Sequence, residues 1–189
     1  MRFKFAPLAV AFLLCLLMPA SSYAGYDEGI QALKNRDYVA ALKHFSAAVD
    51  AGNLDANVAL AKMYGSGKGV KKSYIKAFTL LTEAARGGSR VAQRELGALY
   101  LLPNTGLNLR SAEGIAWLQK AGDGGDAEAL GALGGIYSGL SPVAGIKTDK
   151  ILAHKYFQKA ESAGWEAAKA MLFYLEKKMT KEQVEAASK

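Results

Sequence analysis

The chain is predicted to be an all-α solenoid of about five stacked helical hairpins. Two repeating strings predict it. The first reads AALKHFSAAVDAG from Ala40 to Gly52, AFTLLTEAARGG from Ala77, GIAWLQKAGDGG from Gly114 and AHKYFQKAESAG from Ala153. Counted from Ala41, its copies start 36, 37 and 39 residues apart. The second string, ANVALAKMY, AQRELGALY and AEALGALGGIY, lies between those copies and ends at Tyr64, Tyr100 and Tyr137. Periods of this size belong to helix–turn–helix units that must stack, because one unit cannot bury its apolar face alone. Such a stack presents a binding surface rather than an enclosed active site.

Residues 1–24 are read as a secretory signal peptide. Arg2 and Lys4 make a basic start, Leu8–Met18 is an uncharged apolar run, and Ser22-Tyr23-Ala24 places small residues before a cut ahead of Gly25. The run is short for a membrane span, which needs about 20 residues. Cys15 follows Leu14, where a lipoprotein would carry a small residue. The expected mature chain, 25–189, is one helical-repeat domain without cysteine. Its 22 basic and 17 acidic side chains give a net charge of +5. That is too modest for a dedicated nucleic-acid binder. No integral membrane segment is expected after cleavage.

Tyr26–Asn35 is expected to be a short opening helix. The second helix of each unit then starts near Asp37, Ser73, Ser111 and Asp149. Its columns are Ala41, Ala77, Gly114, Ala153; then Phe45, Leu81, Leu118, Phe157; then Ala48, Ala84, Ala121, Ala160. Offsets of four and seven share one helix face. Small residues bring the backbones close, and the large column fills the remaining space. The first helices repeat this logic with Ala56, Ala92, Ala129, Ala168; Leu60, Leu96, Leu133, Leu172; and Met63, Leu99, Ile136, Leu175. Asp37, Ser73 and Asp149 are expected N-caps. Arg110 stands at the third such position, so Ser111 or Asn108 is expected to cap there. Gly52, Gly88, Gly125 and Gly164 close the second helices. A capping helix near 166–178 ends the stack, with Glu176 in place of the recurring Tyr, and Thr180–Ser188 adds a frayed, charged helix.

The string AKMYGSGKGVKKSYIKAFTLLTEAARGG resembles a Sel-one-like repeat, a relative of the tetratricopeptide repeat. The matching positions are Ala56, Leu60, Tyr64, Gly67, Gly69, Val70, Lys76, Ala77, Ala84, Ala85 and Gly88. The resemblance covers roughly residues 26–176. It departs at Ala61 (usually Gly), at Ser73 (usually Asp) and at Leu101–Gly106, which replaces the glycine loop. It implies a right-handed superhelix that acts as a non-catalytic protein-interaction scaffold, with exported bacterial members in the envelope or outside the cell. The alternative is a cell-wall-associated hydrolase or ligand-binding protein on the same scaffold.

No motif for a cofactor, metal or catalytic group stands out. The glycines between Tyr64 and Gly69 lack the spacing and preceding strand of a phosphate loop. His44 lies in the bulky column with Leu80, Trp117 and Tyr156 and is expected to be partly buried; His154 is expected to face solvent. Neither has a partner at metal-ligand spacing. Glu95, Glu113, Glu128 and Glu161 are read as solvated helix surface. Tyr64, Tyr100 and Tyr137 are read as helix-end residues packed under the following loop, each hydroxyl meeting a backbone group. Lys68, Lys71, Lys72 and Lys76 form the densest basic cluster, a solvated face or a contact for an acidic partner. The partner, another protein, is expected on the concave side lined by first helices. Asn57, Gln93, Leu130 and Lys169, with Lys62 and Arg94 nearby, border that side.

Overall fold

The computed structural model describes residues 21–107 and 109–189, with side chains placed from Gly25 onward. The apolar leader with Cys15, and the candidate cap Asn108, lie outside the described residues. Within them the chain forms ten α-helices. The four hairpins are α1 (Ser21–Lys34) with α2 (Tyr38–Asp50), α3 (Leu54–Ser66) with α4 (Tyr74–Arg86), α5 (Arg90–Leu101) with α6 (Ser111–Asp123), and α7 (Ala127–Ser138) with α8 (Lys150–Ser162). Each second helix also packs on the first helix of the next unit, and α3 touches α5 directly. The stack closes with α9 (Ala168–Glu176) and α10 (Lys181–Ala187), and α10 turns back onto α8. There are thus four complete hairpins and a closing pair, in keeping with the expected count of about five. α1 also starts before the expected Tyr26 and takes in Ser22, Tyr23 and Ala24.

The small and large columns are the core. Phe45, Leu81, Leu118 and Phe157 are buried, as are Ala41, Ala77 and Ala153, and the alanines at 48, 84, 121 and 160. Leu60, Leu96 and Leu133 oppose them from the first helices, where the alanines at 56, 92, 129 and 168 are fully buried. Close approach is reciprocal at α5 and α6. A Cβ on Gly97 would stand 2.9 Å from the Gly114 carbonyl, and one on Gly114 would stand 2.9 Å from the Gly97 carbonyl.

Caps set the ends. The side chains of Asp37, Ser73 and Asp149 accept from the N–H groups of Ala40, Lys76 and Leu152 at 3.0, 3.3 and 2.9 Å. At α6 the N-cap is Arg110, which has no acceptor and makes no cap bond. Ser111 is already the first helical residue and does not cap. A second set of caps lies directly after the closing glycines. Asn53 accepts from Asp55 and Ala56, Ser89 from Ala92 and Asp126 from Ala129. The fourth such position is Trp165, which cannot cap. There α9 begins later, has no side-chain cap, and is 9 residues long against 12 or 13 for α3, α5 and α7. Trp165 stacks instead on Phe157, ring centroids 6.2 Å apart.

Two expectations for the C-terminal end are corrected together. His154 is 2% exposed rather than solvent-facing, and its Nε2 lies 2.7 Å from Glu176 Oε1. Glu176 is therefore not a bare polar break at a free end; it is the partner of a buried ring. α10 is not a frayed tail. Thr180 and Gln183 form a reciprocal capping box, and Ala187 is buried.

Candidate functional site: the groove on the first-helix face

The consecutive first helices α1, α3 and α5 line an open groove of about 1130 Å³. Its accessible apolar walls include Ile30, Leu33 and Leu102, over a floor of the buried core residues Val58, Met63 and Leu99. Polar groups sit among them: Asp55, Lys62 and Glu95, and at one end Lys34, Arg36 and Lys68. The groove lies on the first-helix side of the stack, where α3 and α5 also touch each other directly.

The four candidate partner residues separate in the structure. Asn57 and Gln93 are 2% and 4% exposed and belong to the core, not to the groove. Asn57 Nδ2 donates to Glu83 Oε2 at 3.3 Å, and Gln93 Nε2 donates to the Ala85 carbonyl at 3.1 Å, at the C-terminal end of α4. The reason is that α3 is packed by α2, α4 and α5 at once, so nearly its whole circumference is covered. A polar residue beside the core stripe then faces a neighbouring helix. Leu130, in the same column, is buried too, while Lys169 is exposed.

Lys62 does line the groove, and its Nζ lies 3.0 Å from Glu95 Oε1. Arg94 lies on α5 and reaches across the junction to α7. It meets Glu128 at 2.6 Å, Asp126 at 3.2 Å and Glu95 at 3.4 Å. Burial by itself would lower the guanidinium pKa, but Asp126, Glu128 and Glu95 outweigh it and hold the group above its ordinary value. Asp126 is also the cap of α7, so Arg94 braces a helix start.

The repeat residues are structural in this geometry. Gly67 ends α3 in the left-handed conformation, φ +76°. Gly69, φ +73°, passes so close to α2 that a Cβ there would stand 2.4 Å from Tyr38 Cβ. Gly88 has φ +96°, and Ala77 is buried. The tyrosine rings pack on second-helix side chains. Tyr100 meets Phe78 edge-on at 5.5 Å, Tyr137 stacks on Tyr156 at 5.7 Å, and Tyr64 lies under the Lys76 ammonium at 4.8 Å. The following loop is tied by their backbone. The N–H groups of Ser73 and Asp149 donate to the Tyr64 and Tyr137 carbonyls at 2.9 and 2.8 Å. Burial, and then the nearby Glu113 carboxylate, raise the Tyr100 pKa.

The remaining charged groups are mostly accounted for. Glu95 and Glu128 bind Arg94, Glu113 pairs with Arg110, and Glu161 lies 4.0 Å from Lys169. His44 Nδ1 meets Glu28 at 3.0 Å near the surface. Of the basic cluster, Lys72 lies over the Tyr74 ring and Lys76 over Tyr64. Among the described residues no group of side chains is arranged to hold a metal ion, and no helix is long and apolar enough to cross a membrane.

The fold and groove define a class: a solenoid of helical hairpins with an open groove on one face. The Sel1 repeat family model matches residues 20–53, 54–89, 90–126 and 127–165, one hairpin each, and the chain belongs to that family. Sel1-repeat proteins are in general protein-interaction scaffolds, typically non-catalytic. A comparison with curated proteins found no match. Among solved structures, a Sel1 repeat protein from Oxalobacter formigenes is 25% identical with a TM-score of 0.66, over 78% of this chain and 59% of that one. The protective antigen c5321 of uropathogenic Escherichia coli, with an SLR fold, is 24% identical with a TM-score of 0.44, over 88% of this chain and 44% of its own. The immunity protein Pa5087 of Pseudomonas aeruginosa is 21% identical with a TM-score of 0.41, over 89% and 83% of the two chains. The chain thus spans about three fifths of the first relative and under half of the second.

Proposed function

We propose that the chain is an exported, non-catalytic scaffold of the bacterial cell envelope that binds another protein along the groove of α1, α3 and α5. The observation that carries this reading is the groove's form: open, and lined by apolar and charged side chains of three successive first helices. A catalytic pocket would enclose its ligand and converge a few polar groups on it. Export is supported by the basic start, apolar run and small-residue cut site of residues 1–24. The periplasm is the favoured compartment.

The test is to tag the full chain in its native host, fractionate the cells, crosslink, and identify the captured proteins by mass spectrometry. A stoichiometric envelope protein lost on Lys62→Glu or Leu102→Asp, with helicity retained, supports the reading. Recovery in the cytoplasmic fraction rejects export. A partner retained by both groove variants moves the contact to another face. Arg94→Glu does not serve here, because it would place three carboxylates against a fourth and unseat the start of α7.

A further inference from the structure

The groove is not electrically uniform. Asp55 lies near Tyr26, toward the N-terminal ends of α3 and α1. At the opposite end stand Lys34, on the last turn of α1, Arg36 in the α1–α2 turn, and Lys68 just after α3. Contact of Gly69 with Tyr38 holds the Lys68 loop against the start of α2, beside Arg36. All three cations are exposed, and among the described residues none has an ion-pair or ring partner. Between the two ends Lys62 and Glu95 neutralise each other. The C-terminal ends of α1, α3 and α5 bring about half a negative charge each. Three full positive charges more than offset that.

Arg36 adds an independent observation. It occupies the left-handed position that ends α1, φ +59°, with its N–H donating to the Leu33 carbonyl and that of Asp37 to the Ala32 carbonyl. This is the position where α2, α4, α6 and α8 each carry glycine, at 52, 88, 125 and 164. The first hairpin holds a long cationic side chain at a backbone site that disfavours any side chain. Strained residues of this kind concentrate where a side chain has work beyond the fold.

We propose that Lys34, Arg36 and Lys68 form a cationic mouth that seats the acidic end of an amphipathic segment of the partner protein, its apolar face lying on the accessible groove residues Leu33 and Leu102. This rests on the groove-binding reading and adds the partner's chemistry and direction: apolar residues along the groove, carboxylates at the Arg36 end.

The test uses three labelled synthetic peptides of equal length, apolar at i, i+3, i+4 and i+7. They end in three Glu, three Gln or three Lys, and each is made in both chain directions. Binding to the full chain is read by fluorescence anisotropy at low and physiological salt. The acidic peptide should bind about tenfold more tightly than the neutral one, with the gap narrowing as salt rises. Arg36→Gly should erase most of that preference while the melting temperature holds or rises. Equal binding of all three peptides, lost on Leu102→Asp, a groove residue exposed to solvent, overturns the cationic mouth and leaves the groove reading standing. No binding of any peptide overturns both. Arg36-dependent binding to phosphatidylglycerol vesicles, without preference among the peptides, overturns the proposal in favour of a membrane surface.

Discussion

Residue by residue, this solenoid works by complementarity of size. A Cβ on Gly134 would stand 2.5 Å from the Phe157 ring, and one on Gly29 would stand 2.5 Å from Phe45. Where the opposing residue is Leu81, alanine is accommodated at the same step, Ala61, in the same cluster. Gly134→Ala should therefore destabilise by about 1–3 kcal/mol through overpacking, set against a helix-propensity gain of about 1. Gly135→Ala, whose nearest outside neighbour would be Ser141 Oγ at 3.6 Å, should be neutral or mildly stabilising. Paired urea melts check this, and equal effects at the two sites would refute the close-contact account. A second exchange concerns polarity. Leu42 with Tyr64, Phe78 with Tyr100, and Ile115 with Tyr137 share core clusters in the first three hairpins. The fourth has His154 with Glu176, and His154 Nδ1 is buried without a partner. Glu176→Ala should cost about 1–3 kcal/mol by orphaning the ring. The double change His154→Phe with Glu176→Tyr restores the repeat pattern and should lie within about 1 kcal/mol of the parent. A double-mutant cycle showing simple additivity would argue against direct coupling.

At the scale of elements, the helix ends carry the specificity. The closing glycine turns the chain, and the next residue caps the next helix, as Asn53, Ser89 and Asp126 do. Asp126 serves twice, accepting from the Ala129 N–H and from Arg94. Arg94→Ala should cost about 2 kcal/mol, between the ranges for exposed and buried ion pairs, because Asp126 is 7% exposed and would lose its cation. Lys62→Ala, from a 57% exposed side chain, should change stability little. Chemical denaturation of the two variants separates the roles; a larger loss for Lys62→Ala would contradict the assignment of Arg94 as the brace.

For the whole molecule, stability is shared among neighbouring hairpins, since each packs only on the next. Burial, with Asp55 and Asp27 nearby, raises the Tyr26 pKa. Burial likewise raises Tyr100, beside Glu113, and Tyr137, beside Tyr156 and Asp149. The fold disfavours these phenolates. Their contribution is therefore complete below the unfolded value of about 10 and is lost as pH rises through the folded values. Urea midpoints should fall from about pH 10 upward, with part of the tyrosinate absorbance appearing late. One tyrosinate step at the ordinary value, with unchanged midpoints, would refute this.

The period, the small and large columns, the closing glycines and most second-helix caps were legible in the chain, because a local face and a local turn depend on neighbours three to seven residues away. The first-helix caps were legible too, in the residue after each closing glycine, and were missed. What only tertiary structure decided depends on how many helices surround a residue. Asn57 and Gln93 look like groove residues until α3 and α5 are seen to be packed on several sides. Arg94 looks like a surface cation until the α5–α7 junction gathers three carboxylates around it. His154 is buried because its partner Glu176 lies in the next unit, a pairing that no periodicity within one helix encodes. Sequence determined the repeat, whose physics is local burial. The groove and its charged end needed three helices placed side by side.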